Sequence, residues 1–140
     1  MDMGELVRVE IGDGTGDIPA AVATVLEELE RLGYVVDDRQ TAGVGYDLFA
    51  RHPNSGDQRL VEVKGFQDGL MPVWLEQHEW AQAQQRGEDY WLYVVTHCAT
   101  APTVALRAQD PAGRLAAGPR RIERFQIKVT DLKRLMKGEQ

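Results

Sequence analysis

Leu60-Val61-Glu62-Val63-Lys64-Gly65, read with Tyr46-Asp47-Leu48-Phe49-Ala50 shortly before it, decides how the chain is interpreted. Both runs are rich in β-branched, aromatic and aliphatic residues. Pro53-Asn54-Ser55-Gly56-Asp57 lies between them as turn chemistry, so the two predict neighbouring strands of one β-hairpin. Side chains alternate across a strand, which puts Leu60, Glu62 and Lys64 on one face and Val61 and Val63 on the other. A carboxylate and an ammonium group then stand side by side, with Asp47 opening the adjacent strand.

Those residue types suit metal-assisted phosphodiester hydrolysis. Such chemistry needs a divalent cation to polarise the phosphoryl oxygen and activate water, and Mg²⁺ (or Mn²⁺) takes oxygen ligands, often one or two carboxylates plus waters. Asp47, Glu62 and the Val63 carbonyl are the candidate metal ligands. Lys64 is the candidate for orienting water or offsetting developing negative charge, which makes Asp47, Glu62 and Lys64 the candidate catalytic set. The competing explanation is a solvated Glu62–Lys64 pair on an edge strand, an arrangement of little energetic consequence. Context has to decide between them.

Working outward, residues 1–16 read as a flexible, acidic, Gly-rich N-terminal segment and 17–140 as a single domain. Asp17 is placed to cap a helix with Pro19 in its first turn. Ile18, Val22, Val25, Leu26, Leu29 and Leu32 recur at helical spacing before Gly33, while Glu27, Glu28 and Glu30 fall opposite or beside that stripe, mostly towards water. Tyr34-Val35-Val36 adds a first strand to a three-stranded meander. Pro72-Val73-Trp74-Leu75 suggests an edge strand. Glu76 to Arg86 then reads as a short helix ended by Gly87, with Glu79 as a first-turn carboxylate favoured by the helix dipole. Tyr90-Trp91-Leu92-Tyr93-Val94-Val95 is apolar on both faces, as in a central strand covered by helices on both sides. Phe125, Ile127 and Val129 alternate as a later strand, and Thr130-Asp131 is placed to cap a last helix carrying Leu132, Leu135 and Met136.

Composition limits the alternatives. A chain of 140 residues, 43% hydrophobic and 27% charged, can form one real core and is too short for two. The lone Cys98 lies in an apolar run and reads as a small buried hydrophobe; His52, His78 and His97 have no zinc-like spacing with it. No run is long enough for a membrane span and the N-terminus lacks signal-peptide character, so a cytoplasmic setting is expected. The net charge of −6 is unevenly spread: from Arg107 onward there are 9 Lys/Arg against 4 Asp/Glu, leaving −11 for the first 106 residues. Arg120, Arg121, Arg124 and Lys128 are therefore the candidate nucleic-acid contacts, a solvated basic helix being the alternative.

The order helix, three strands, helix, strand, with an appended strand and helix, resembles the α/β restriction-endonuclease-like fold, a mixed central sheet flanked by helices. Its PD-(D/E)XK sites carry Asp on one core strand and Glu-x-Lys on the next. Gly45-Tyr46-Asp47-Leu48, Val61 to Gly65, Glu79-Trp80 with Ala83, and Asp89 to Val95 resemble more closely the domain at the C-terminus of the plant protein NO VEIN. The ending Ile127 to Leu135 is similar to that of helicase-linked members. The resemblance implies a Mg-dependent nuclease-type domain acting on nucleic acid, with a helicase or restriction-system partner, and two-fold cutting of duplex DNA would suit a homodimer. A non-catalytic module binding nucleic acid or protein is the alternative. Three departures stand out: Tyr46 replaces the proline of the PD motif, Val22 and Ala23 occupy positions where relatives carry a Glu, with Glu27 and Glu30 the nearest substitutes, and Glu76 and His78 replace the family's Thr and Asn before the second helix.

Overall fold

The computed structural model describes residues 18–115, 117–118 and 126–138. Its centre is a five-stranded mixed sheet in the order β1-β2-β3-β4-β5, formed by Val35–Asp38, Leu48–Arg51, Gln58–Gly65, Tyr90–Thr96 and Thr103–Gln109. The first three strands form the expected antiparallel meander, with Leu48 opposite Val61. β3 and β4 run parallel, Glu62 beside Leu92 and Lys64 beside Val94, so the connection between them has to cross over. Helix α2, Gln77–Arg86, makes that crossing, and a short 3₁₀ turn, Gly87–Asp89, delivers the chain into β4.

Helix α1, Ile18–Arg31, covers one face of the sheet. Its Ala21, Val22, Val25 and Leu29 are buried against Leu48, Ala50, Val61, Val63, Tyr93 and Val95. Burial of side chains such as Val25 and Leu29 contributes roughly 1.5–3 kcal/mol each. Cys98 joins this cluster as the small buried residue its surroundings suggest. Gly33 ends the helix at φ +96°, and a Cβ there would meet the His52 Nε2 at 2.9 Å, so the turn into β1 depends on the missing side chain. The Asp17 cap lies outside the described residues.

The opposite face is packed in two groups. Leu60, Tyr90 and Ala83 of α2 meet near Tyr46 and Phe49, while Phe66, Leu92, Val94 and Ala108 lie under Val73 and Leu75. Helical cover on both faces explains why β4 is apolar throughout. Of its side chains, Tyr93 and Val95 point to the α1 face and Leu92 and Val94 to the other.

Several expectations need correction. Pro72–Leu75 is not a strand: Val73 and Leu75 alternate inward, but the segment pairs with no ladder and acts as an apolar cover. The missing strand is β5, Thr103–Gln109, an edge strand antiparallel to β4 with a bulge at Val94/Val95. Glu28 is buried, not solvated, because Arg107 of β5 donates to both of its carboxylate oxygens. Leu32, expected in the apolar stripe, is exposed. A four-residue helix α3, Pro111–Arg114, follows β5.

The described residues from Ile18 to Ala117 belong to one compact unit, and helix α4, Val129–Met136, belongs to another. α4 begins at Val129 after Lys128, and Gln126–Lys128 is not a strand; Phe125 lies outside the described residues. Val129, Leu132 and Met136 fit helical spacing as well as Ile127 and Val129 fit alternation, and Asp131 in the first turn favours the helix.

Candidate functional site

The site begins with how β2 starts. The Asp47 N–H donates to the Val61 carbonyl at 2.8 Å and its carbonyl accepts from Arg39 at 2.7 Å, fixing the residue where β2 departs from β3. Beyond this point β3 has no strand on that side. The Val63 N–H would be left unpaired there, and the Asp47 carboxylate accepts it at 2.8 Å. A strand residue sends its N–H and C=O towards the same edge, so the Val63 carbonyl also opens towards Asp47.

The turn ahead of Asp47 is held by two contacts. Gly45 adopts φ +87°, and its missing Cβ lets α2 approach: a Cβ would sit 2.6 Å from Gln82 Cγ and 3.0 Å from the His78 carbonyl. From β4, the buried Tyr90 hydroxyl donates to the Gly45 carbonyl at 2.8 Å. Its acidity is suppressed by burial first and by the charges of Glu62, Glu79 and Asp47 after that. Tyr90 therefore serves as a neutral hydrogen-bond donor.

Glu62 and Lys64 share the face that packs under α2, as strand alternation requires. Glu62 is 2% exposed, its Oε2 lies 3.2 Å from Lys64 Nζ, and its buried Oε1 has no hydrogen-bond partner. That burial excludes the solvated edge pair. Lys64 Nζ also lies 3.2 Å from Glu79 Oε1, the same oxygen that accepts the Glu76 N–H at 2.8 Å. Glu79 thus performs the first-turn role read from the sequence and a second one that the sequence did not reveal. What could have signalled it is the i, i+4 pairing of Glu79 with Ala83, which is fully buried and fixes that helix stripe towards the sheet.

Electrostatics follow from one ammonium serving two carboxyls, Glu62 buried and Glu79 half-buried. Burial holds Glu62 well above the usual carboxylate range, Lys64 opposes this, and Asp47 and Glu79 add to it. Burial also raises Asp47, against the Val63 N–H and Lys64, which lower it. Burial would depress Lys64, but Glu62 and Glu79 outweigh it and hold the ammonium charged above its ordinary value. Burial likewise works to raise Glu79, yet Lys64 and the Glu76 N–H bring it below its ordinary value. The opposed directions make Glu62 the carboxyl that takes up a proton first and Glu79 the one that stays ionised beside Lys64.

The donors suit a hard divalent cation. Among the described residues no three His, Cys, Asp or Glu side chains form a metal-binding group, so a zinc-type cluster is not built here. Two carboxylates and a backbone carbonyl match a cation that retains several waters, and the partnerless Glu62 Oε1 is the atom such an ion would satisfy.

Other candidate residues lie elsewhere. Glu27 and Glu30 are exposed, Glu27 pairing with Arg31 at 3.7 Å, and α1 packs on the face opposite Glu62; neither joins the site. Val22 is in the core. Lys128 precedes α4 and is exposed, whereas Arg120, Arg121 and Arg124 lie outside the described residues. His52 packs edge-on against Tyr34 and accepts backbone N–H groups from Asn54 and Ser55, a turn-stabilising role. No helix among the described residues is long and apolar enough to cross a membrane.

Fold and site together define a mixed α/β domain with a buried carboxylate–lysine group where two strands diverge. Residues 19–107, from α1 into β5, match the family described as Protein NO VEIN, C-terminal, and the chain belongs to that family. No curated protein and no solved structure matches it.

Proposed function

We propose that this chain is a restriction-endonuclease-like domain of the PD-(D/E)XK type, a Mg²⁺- or Mn²⁺-dependent nuclease hydrolysing nucleic-acid phosphodiesters. The observation that carries this reading is Glu62 Oε1, a buried carboxylate oxygen without a partner, beside Lys64 and next to the Asp47–Val63 edge. A stability-driven sheet would not strand a carboxylate there, since an unpaired buried polar group costs about 1–3 kcal/mol.

Asp47, Glu62 and the Val63 carbonyl would hold the cation, which when bound supplies Lewis-acid polarisation of the phosphoryl group and of water. Asp47 is preoriented by the Val63 N–H, so its geometry is set before any ligand arrives. Glu79 and Glu62 bracket the Lys64 ammonium and fix its position. The ammonium then faces the attacking water or the developing negative charge without having to leave solvent, the preorganisation that gives such donors their effect. Tyr90 keeps the Gly45 turn in place and exchanges no proton.

The test is cleavage of single-stranded, duplex and branched DNA and of RNA with Mg²⁺ or Mn²⁺, combined with calorimetric metal titration. Cleavage lost in Glu62→Ala and Lys64→Ala is the expected result. Absence of both cleavage and metal binding overturns the reading. It would favour the second reading, a non-catalytic module beside a helicase or restriction-system partner, to which the doubly paired Lys64 also lends support as a structural ion pair.

A further inference from the structure

A groove lies beside the acid–lysine group, between the Gly43–Tyr46 turn and α2. It is an open groove of about 330 Å³, lined by Tyr46, Ala81 and the stripe His78, Gln82 and Arg86, spaced four residues apart and so on one side of the helix. Tyr46 immediately precedes Asp47, and His78 immediately precedes Glu79. Two of its lining residues are thus chain neighbours of Asp47 and Glu79, which places the groove on the same turn and the same helix as the candidate site.

Its chemistry is that of a nucleotide site. Half-buried Tyr46 packs against the cluster of Leu60, Ala83 and Tyr90 and also lines the groove, so an aromatic side chain anchored in the core reaches it. Arg86 donates through Nε to Gln82 Oε1 at 3.2 Å and has no carboxylate partner among the described residues, so its remaining N–H groups are uncommitted. A guanidinium held at one end by Gln82 is suited to a phosphate. Small-ligand pockets begin at roughly 300 Å³, which fits one nucleotide and not a duplex.

We infer that this groove seats one unpaired nucleotide of a single strand, its base against Tyr46 and its phosphate on Arg86. The inference rests on the nuclease reading only for where the scissile bond lies. The charge distribution favours a single anchored nucleotide over a long electrostatic track: the first 106 residues carry a net −11, which opposes close approach of many phosphates, while the Arg86 guanidinium in the groove matches one phosphate. Stacking on an aromatic ring selects an unpaired base, because a base in a duplex has both faces occupied.

Fluorescence anisotropy with labelled oligo-dT of eight nucleotides in EDTA tests binding without cleavage, using the full chain. Arg86→Ala should weaken binding about tenfold or more and reduce the slope of log affinity against log salt by about 0.7, the contribution of one phosphate on a single strand. Arg86→Lys should retain most of the slope. Tyr46→Leu, which keeps an apolar filler against Leu60 and Ala83, should weaken binding at least fivefold, while Arg51→Ala on β2 should leave it unchanged. Circular dichroism verifies that each variant is folded. Wild-type binding unaltered by Arg86→Ala, no binding at all, or equally tight Arg86-dependent binding of a blunt duplex overturns the inference. Cleavage is scored separately with Mg²⁺: strand binding that persists without any cleavage faults the nuclease reading alone, and cleavage that persists without Arg86 dependence faults the groove alone.

Discussion

Replacing Lys64 by Met removes the ammonium shared by buried Glu62 and half-buried Glu79 while roughly preserving volume, and the stability loss should depend steeply on pH. In the wild type, Glu79 sits below its ordinary value of 4.5 because Lys64 and the Glu76 N–H outweigh its burial. A depressed carboxyl contributes stability above its unfolded pKa and loses it as pH falls through the folded one. Without Lys64, burial dominates and Glu79 rises above 4.5. A raised carboxyl has the opposite sign: the folded state holds a proton that the unfolded state has released, so stability falls as pH climbs from about 4.5 to the new folded value. The variant's folded state thus retains one proton more than wild type across that window. One proton corresponds to about 1.4 kcal/mol per pH unit. Between pH 5 and pH 7 the penalty should grow by as much as about 2.7 kcal/mol. Starting from about 1 kcal/mol for lost packing and hydrogen bonds, it reaches roughly 3–4 kcal/mol at pH 7, within the range for breaking one side of a buried ion pair. Urea unfolding of both proteins at pH 5 and pH 7 measures this directly. Adding Glu79→Gln to Lys64→Met should restore about 2 kcal/mol at pH 7, about the size of the carboxylate's pH-dependent penalty. A penalty equal at the two pH values, or no recovery in the double variant, refutes the shared-ammonium account.

Asp47→Asn retains an acceptor for the Val63 N–H and should change stability by less than about 1 kcal/mol, whereas Asp47→Ala leaves that N–H unpaired and should cost about 1–3 kcal/mol; both should abolish Mg²⁺-dependent cleavage, and denaturant melts paired with cleavage assays separate the two effects. Gly45→Ala forces a side chain into φ +87° and against Gln82, so it should cost about 2 kcal/mol or more by thermal unfolding, with Gln82→Ala recovering only the steric part. Glu28→Gln should cost about 1 kcal/mol at pH 7, discounted for the partly exposed Arg107. That difference should shrink as pH falls below 4.5, because Arg107 holds Glu28 below its ordinary value and protonation removes the benefit.

The reach of the sequence varied with how local each determinant was. α1, the meander, α2 and β4 follow from period and punctuation: an apolar stripe closed by Gly33, turn residues between alternating runs, Glu76 and Gly87 bracketing a helix, and an apolar strand. β5 escaped because Thr103–Gln109 is an edge strand with most side chains exposed, leaving neither alternation nor a continuous apolar run. Val73 and Leu75 alternated as a strand would, yet alternation records only which side chains are buried. Whether the backbone finds a ladder depends on a neighbour, and there is none. The burial of Glu28 has no local signature for a related reason: its partner Arg107 lies 79 residues away on β5.

The same distinction governs the site. Glu62 and Lys64 could be placed on one face from alternation alone, because two residues apart in a strand is a geometric statement. Their burial could not, because it is imposed by α2 crossing from β3 to β4 and laying Glu79 over them. That crossing turns an ordinary Glu-x-Lys pair into a group with three ionisable side chains, one proton too few for neutrality when both carboxyls ionise, and a carboxylate oxygen left without a partner. Leu60 and Phe66, each two residues from the pair along the chain, are buried hydrocarbon, and aliphatic residues at 62 and 64 would extend their packing with no desolvation cost. The arrangement is thus expensive for folding, a cost the proposed nuclease reading accounts for: on that reading Glu62 Oε1 would serve as a cation ligand, with Lys64 held beside it by Glu79.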